Sequence, residues 1–227
     1  MVLSFFRSTG GEGDFDHIVT KAVSMLSDAR HSFDLATLVL LTDADPATVS
    51  DDVNSTDDRI NHAEQELRSE LVVHVAVQGT ADIGSVLGFT LLLKKIERIG
   101  DQAKNILELA ELGVSFAEAA DLEAMLEERQ ALSALFSEAG ELLADASPDT
   151  ELIDDYSNRL QVVVDQYQAK IDDFMTSERP GNEVVPLAIY YRFLRRIGAN
   201  LAGIVRTSTE PVPTIDYLEG GSVDTDD

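Results

Sequence analysis

Apolar residues recur along this chain at alternating spacings of three and four, which is the repeat of helices that pack together in a bundle. The repeat is clearest between residues 82 and 112, where the apolar positions are Val86, Phe89, Leu93, Ile96, Gly100, Ala103, Leu107 and Ala110. Gly100 falls on this stripe, and a glycine there lets a neighbouring helix approach closely. Five further stretches carry a similar stripe. The pattern predicts an all-α protein of six long antiparallel helices.

Capping residues, prolines and glycines mark the ends of the six predicted helices. The first helix follows a flexible, Gly-rich N-terminus at residues 1–13 and ends near Thr42. The predicted start signals of helices two to six are Asp45-Pro46, Thr80, Ser115, Ser147-Pro148 and Asn182. An acidic stretch at residues 210–227 contains Pro and Gly and predicts a flexible tail.

The order of these helices predicts an internal repeat of three helices, at residues 14–113 and again at residues 114–209. Laying the third predicted helix on the sixth pairs Gly100 with Gly198, and the apolar positions around the two glycines agree. The charged positions differ, with Arg195 in place of Glu97 and Ala199 in place of Asp101. The second repeat therefore keeps the core pattern and loses the charge pattern.

The 227 residues include 42 acidic and 17 basic side chains, which give a net charge of −25. Such a charge repels nucleic acid and anionic membranes, so no nucleic-acid partner is expected. It is also the kind of surface that halophilic proteins carry, and it predicts a halophilic archaeal source. The chain has no cysteine, so a bound metal would need oxygen or imidazole ligands. Its apolar runs are too short for a membrane span or a signal peptide, which predicts a cytoplasmic protein.

Glu97 and Asp101 lie four residues apart beside the apolar stripe of the third helix, so their carboxylates share one helical face. Like charges at this spacing destabilise a helix by roughly a few tenths of a kcal/mol, and a nearby cation would compensate them. Lys94 and Lys104 lie three residues to either side and can supply that charge as an ordinary surface would. A bound metal ion is the other interpretation, and the spacing leaves both open.

The segment Ile96-Glu97-Arg98-Ile99-Gly100-Asp101-Gln102-Ala103 resembles the signature of PhoU proteins, which are helical accessory regulators of phosphate uptake. The resemblance implies two tandem three-helix bundles, in which E/D-x-x-x-D pairs bind metal ions and, in some members, iron clusters. On the second helix, Asp57 and Asn61 occupy the place of another such pair, with Asn61 where an Asp is common. The resemblance thus implies a metal site formed by Asp57, Asn61, Glu97 and Asp101.

Three carboxylates and one amide suit a divalent metal or iron, and the sequence does not distinguish Fe, Mn, Mg, Zn and Ni. An acidic groove filled by solvent, K⁺ or Na⁺ is the alternative. The second repeat, with Arg195 and Ala199, is not expected to hold a metal. Glu64 lies one turn further along the same face of the second helix and could supply a further ligand, although a solvated carboxylate is the more usual case on so acidic a surface. His74 falls on the apolar stripe, which is typical of a core or interhelix histidine rather than a ligand.

No catalytic residue is predicted, because the chain has no Gly-rich phosphate loop, no Ser/His/Asp set and no paired Glu-x-x-His motif. The resemblance implies a regulator, not an enzyme, that restrains phosphate import or its signalling. The partners it implies are a phosphate transporter or sensor kinase components, with peripheral contact to a membrane protein. A homodimer is left open. The alternatives are a non-haem metal-binding oxidoreductase or iron-storage bundle, and a purely structural helical partner.

Overall fold

A computed structural model describes residues 15–79, 82–145 and 147–207 of the chain. All regular structure over these residues is helical. The six long helices are α1 (Asp16–Thr42), α2 (Ser50–Gln78), α3 (Ile83–Glu111), α4 (Leu122–Ala144), α5 (Thr150–Met175) and α6 (Gly181–Arg206). The predicted all-α class and the six long helices are therefore confirmed. The predicted flexible segments at residues 1–13 and 210–227, and the predicted cap at Thr80, lie outside the described residues.

The second helix begins one turn later than predicted, because its expected capping residue closes a short turn instead. Asp45 Oδ1 accepts a hydrogen bond from the Ala47 N–H at 3.0 Å, but the helix it caps is a single 3₁₀ turn, Pro46–Thr48. Val49 then leaves the helical conformation, with φ −123° and ψ −10°, before α2 starts at Ser50. The prediction that Asp45-Pro46 opens the long helix is wrong.

The predicted start of the fourth helix at Ser115 is also wrong, since α4 begins at Leu122. Ser115 Oγ accepts a hydrogen bond from the backbone N–H two residues further on, so it closes a turn. Phe116 fixes this connection. Its N–H donates to the Leu40 carbonyl at 2.8 Å, and its ring meets the Tyr190 ring edge-on at 5.5 Å. The buried Phe116 ring therefore anchors the connection that precedes α4.

The last two helices begin close to their predicted signals but use other residues. The Ser147 N–H donates to Asp145 Oδ1 at 2.9 Å within the preceding turn. Asp149 is the residue that caps α5, by accepting a hydrogen bond from the N–H two residues on at 2.9 Å. Pro180 precedes α6 without a side-chain cap, and Asn182 lies inside the first turn. Neither Ser147 nor Asn182 is a capping residue.

The helices pack as two groups of three, and contacts between side chains show that neighbours in each group run antiparallel. In the first group, Lys21 Nζ lies 3.0 Å from Glu66 Oε2, and His31 Nε2 lies 2.9 Å from Asp52 Oδ2. Residue numbers thus rise along α1 as they fall along α2. In the second group, the Lys170 Nζ of α5 donates to the Tyr191 hydroxyl of α6 at 2.9 Å. Further along the pair, Val164 of α5 lies next to Gly198 of α6, so residue numbers again rise along one helix as they fall along the other.

The two groups pack side by side, with α1 against α4 and α3 against α6. Buried apolar side chains from all six helices form one continuous core. The tandem arrangement of three-helix bundles is confirmed, whereas the boundary between repeats at residues 113 and 114 stays a prediction, because a single core spans both groups. None of the helices over the described residues is long and apolar enough to cross a membrane.

Two glycines lie at close contacts between helices of the same group. A Cβ added to Gly198 would lie 2.9 Å from Val164 Cγ2, and one added to Gly100 would lie 3.2 Å from Ile60 Cδ1. Both distances are too short for ordinary packing of a side chain. The close approach predicted from a glycine on an apolar stripe is confirmed at both positions.

Alanine at two helical glycines is expected to have opposite effects on stability. Gly140→Ala should stabilise the protein by roughly 0.5–1 kcal/mol through helix propensity, because its Cβ would meet only Val23 Cγ1 at 3.9 Å. Gly198→Ala has the same propensity gain but displaces Val164, which costs roughly 1–3 kcal/mol. Urea unfolding should therefore rank Gly198→Ala below Gly140→Ala. Equal free energies of unfolding would contradict the close approach.

Candidate functional site

The residues of the predicted metal site lie on the packed helices α2 and α3, where Asp57 and Glu97 are both close enough to Asp101 for their charges to affect its pKa. Asp57 lies on the buried stripe of α2, and its exposed fraction is 6%. Ile60 packs on Gly100, which brings Asp57 Oδ1 to 3.8 Å from the position that a Cβ on Gly100 would take. Glu97 and Asp101 flank that glycine on α3. The negative charges of Glu97 and Asp57 both act on the carboxyl group of Asp101. Together, Asp57, Asn61, Glu97 and Asp101 form what we call the acidic cluster.

Two lysines neutralise part of the acidic cluster. Lys94 Nζ lies 2.6 Å from Glu97 Oε1, one turn away on the same helix. Lys104 Nζ lies 3.2 Å from Asp57 Oδ2 and so joins α3 to α2. The Asn61 amide also approaches Asp57 Oδ2, with Nδ2 at 3.4 Å. The compensation by lysine that the sequence left open is therefore present in the structure.

This compensation is incomplete. Asp57 Oδ1 and Glu97 Oε2 are both shielded from solvent and lack a hydrogen-bond partner among the described residues. Burial, followed by the charges of Glu97 and Asp57, raises the pKa of Asp101 above its ordinary value. Three carboxylates thus face two ammonium groups, and two of their oxygens have no donor. A buried acceptor without a donor destabilises a protein by roughly 1–3 kcal/mol, so an added cation would be stabilising here.

The donor set suits a hard cation, but its present arrangement is not that of a finished metal site. Carboxylate and amide oxygens are the ligands that Mg²⁺, Mn²⁺ and iron accept. Among the residues that the structure describes, no group of three or more His, Asp or Glu side chains is placed to hold a metal ion. Lys94 and Lys104 occupy one oxygen each of Glu97 and Asp57, so a cation would compete with two ammonium groups.

Asp101→Asn is expected to raise the melting temperature of metal-free protein at neutral pH. Because the folded state raises the pKa of Asp101 above 3.8, its ionised form is less favourable in the folded than in the unfolded protein. Removing the charge therefore stabilises the native state above the raised pKa. The gain shrinks as the pH falls through that value, and it vanishes below the unfolded pKa, where both states are protonated.

Thermal melts in chelator and molar choline chloride measure this gain while general charge repulsion is screened and no K⁺ competes for the cluster. Asp58→Asn is the matched control, since Asp58 neighbours Asp57 but is exposed. Its substitution should change the melting temperature less. An Asp101→Asn variant that is less stable than the natural protein at neutral pH would show that Asp101 is favourably paired.

Two further residues differ in how well the sequence predicted them. Glu64 is not solvated as expected, because it is buried and its Oε1 accepts a hydrogen bond from Arg68 at 3.0 Å. Its position gave a signal, since Asp57 and Glu64 both lie on the alternating spacing that sets the apolar stripe of α2. His74 is an interhelix histidine as predicted, with Nε2 3.1 Å from Asp82 Oδ2 and its ring 4.6 Å from that of Phe15.

Comparisons with known proteins relate this fold to one family. Residues 19–110 match the family model described as PhoU domain, a range that contains the whole acidic cluster. Among solved structures, PhoU from Pseudomonas aeruginosa is similar, with 20% sequence identity and a TM-score of 0.69 over 91% of this chain and 98% of that chain. At this identity the similarity shows the fold of tandem helical bundles. No curated protein matches the sequence.

Proposed function

We propose that the protein is a PhoU-like regulator of phosphate homeostasis that acts by binding a partner rather than by catalysis. The observation that supports this proposal most strongly is the match of residues 19–110 to the PhoU domain. The PhoU-like fold continues through the second group of helices, with 91% of the chain covered. Six long helices offer broad lateral surfaces of the kind on which a partner protein docks.

The proposed partner is a phosphate transporter or a component of a sensor kinase, contacted from the cytoplasm. This contact would be peripheral to the membrane, made with the protein partner rather than with lipid. The net charge of −25 supports a protein partner over nucleic acid or an anionic lipid surface. A second copy of the chain is a further candidate partner, and light scattering during size-exclusion chromatography would identify it.

We further propose that a divalent metal or iron at the acidic cluster changes the affinity for this partner. Asp57, Glu97 and Asp101, with the side-chain carbonyl of Asn61, would hold the cation. Two buried oxygens without hydrogen-bond donors support this assignment. A cation held there would supply the positive charge that attracts a carboxylate or a phosphate. The cation changes partner binding only if its affinity for the protein differs between the partner-free and the partner-bound state.

The alternative, a metal-binding oxidoreductase or an iron-storage bundle, has no specific observation in its favour. Within residues 15–79, 82–145 and 147–207, no three His, Asp or Glu side chains are grouped as metal ligands. Sustained oxygen consumption by the purified protein with Fe(II) would be the result that favours it.

Deleting the gene tests the regulatory function. We expect the deletion strain to express phosphate-starvation genes differently from the parent in phosphate-rich medium, because the restraint that the protein exerts is lost. A plasmid carrying the natural gene should restore the parental pattern. The Asp57→Asn/Asp101→Asn variant should restore it less well, if the cation changes partner affinity. Unchanged expression in both rich and poor medium would overturn the proposal.

A further inference from the structure

The end of the bundle where α2 is followed by α3 carries almost no charge. Between Glu70 and Lys94 the sequence contains one charged side chain, Asp82, although 26% of all residues are charged. Asp82 is buried, and its Oδ2 lies 3.1 Å from His74 Nε2. The hairpin of α2 and α3 therefore presents an uncharged end on a strongly acidic protein.

This uncharged end is also apolar and exposed. The described residues include eleven large apolar side chains that are exposed, and five of them lie on the last two turns of α2 and the first two turns of α3. The three on α2 are between 61% and 74% exposed. Such a concentration of exposed apolar side chains is typical of a surface that another segment or molecule covers. We call these five residues the apolar end: Val72, Val73, Val77, Ile83 and Leu87.

The first described residue of the chain lies beside the apolar end. The Phe15 ring is 4.6 Å from the His74 ring of α2 and 5.4 Å from the Phe89 ring of α3. Both rings belong to the same turns of α2 and α3 as the exposed apolar side chains. Residues 1–14 therefore join the bundle at its apolar end.

The chemistry of these leading residues matches that of the apolar end. Residues 1–6 carry no charged side chain, and five of them are apolar, namely Met1, Val2, Leu3, Phe5 and Phe6. Residues 7–14 follow and include three glycines, and a linker of this length reaches up to about 26 Å. The apolar end extends only two helical turns, about 11 Å, along each helix. Residues 1–6 are therefore within reach of all of it.

A second segment outside the described residues is a poorer match. Residues 208–227 contain six carboxylates and no basic side chain. Placing those carboxylates against apolar side chains would withdraw charge from water, which is unfavourable. The uncharged segment 1–6 is the better occupant of the apolar end.

We propose that residues 1–6 fold back onto the apolar end and cover it. The apolar side chains of this segment and those of α2 and α3 would then leave water together, which is favourable in proportion to the area buried. The Gly-rich linker that precedes Phe15 gives the segment the length it needs. This inference does not depend on the proposed regulatory function.

Disulfide trapping tests the contact in the full chain, because the natural sequence has no cysteine. Ser4→Cys places a thiol among the apolar residues of the segment, and Ala76→Cys places one on the exposed surface of α2 beside Val77. Neither change removes a large apolar side chain. Under a mild oxidant this double variant should form an intrachain disulfide, because docking raises the effective concentration of one thiol at the other.

Ser4→Cys/Thr20→Cys is the matched control. Thr20 is exposed on α1, five residues beyond Phe15, so an undocked segment would reach it as readily as it reaches Ala76. The Ala76 variant should form its disulfide at least about tenfold faster than this control. Adding Phe5→Ser and Phe6→Ser to the Ala76 variant should reduce its rate to that of the control, with an unchanged circular dichroism spectrum.

Equal rates in the Ala76 and Thr20 variants would overturn the inference. A rate that Phe5→Ser and Phe6→Ser leave unchanged would overturn it as well. Disulfide-linked dimers in place of the intrachain bond would assign the apolar end to a second copy of the chain and also contradict the proposal. None of these results depends on whether the protein regulates phosphate uptake, so the two proposals can fail separately.

Discussion

Replacing Lys94 and Lys104 together by Met should raise the affinity of the acidic cluster for Mn²⁺ by at least about tenfold. Each lysine now contacts one carboxylate oxygen and repels an incoming cation. Two unit charges 4 Å apart interact by about 4 kcal/mol at an effective dielectric constant of 20. The lysine side chains are 39% and 40% exposed, so solvent screens most of this repulsion. About 1.4 kcal/mol, or tenfold, is a lower bound for removing both.

The matched control is Lys21→Met/Lys170→Met, which removes two lysines that pair with carboxylates elsewhere on the bundle. It changes the net charge of the chain equally, so it reports the general electrostatic effect. Calorimetric titration with Mn²⁺ at constant ionic strength should separate the two double variants. Adding Asp57→Asn and Asp101→Asn to the first should abolish the gain. Equal affinities in the two double variants would show that the cluster is an ion-pair network and not a metal site.

The melting temperature of the protein should rise by several degrees between low salt and molar KCl. A net charge of −25 on a chain of 227 residues destabilises the compact state through self-repulsion. The screening length falls from about 30 Å at 0.01 M salt to about 3 Å at 1 M, so the repulsion between exposed carboxylates is largely removed. This effect extends over the whole surface and should exceed that of any single surface substitution.

Choline chloride in place of KCl separates the two ways in which salt can act. A similar rise with both salts indicates screening, because the choline cation is too large for a carboxylate cluster of this size. A larger rise with KCl indicates that K⁺ also binds at the acidic cluster. A melting temperature that is the same at low and at molar salt would contradict the halophilic interpretation.

The sequence predicted the six helices because a bundle imposes one apolar repeat on every element, and that repeat is visible without coordinates. It predicted helix starts less well, since a capping residue satisfies the same N–H groups whether a 3₁₀ turn or a long helix follows. Asp45 and Ser115 illustrate this, because both make the hydrogen bond of a cap and neither opens a long helix. Next to Ser115, the Phe116 ring packs into the core before the helix begins, and only the tertiary structure contains that contact.

The candidate site could likewise be predicted only in part from the sequence. Spacing placed Glu97 and Asp101 on one face, and the PhoU resemblance added Asp57 and Asn61 from another helix. Spacing also placed Lys104 three residues from Asp101, yet its ion pair is with Asp57 on α2. Periodicity reports neighbours along one helix, whereas distances between helices depend on how the helices pack.

The unpartnered atoms could not be predicted at all. The sequence indicates that Arg195 replaces a carboxylate, but the lack of a partner for its Nε is known only from the packed structure. The same holds for the oxygens of Asp57 and Glu97 that lack donors. The two carboxylate oxygens support the proposed metal site.

The rate of phosphate uptake by cells that lack the gene tests the regulatory function most directly. We predict that, in phosphate-rich medium, deletion cells import radiolabelled phosphate faster than parental cells, because the importer or its sensor has lost the protein that restrains it. Expression of the natural gene should return the rate to the parental value. Equal uptake rates in deletion and parental cells, in both phosphate-rich and phosphate-poor medium, would contradict the proposed function.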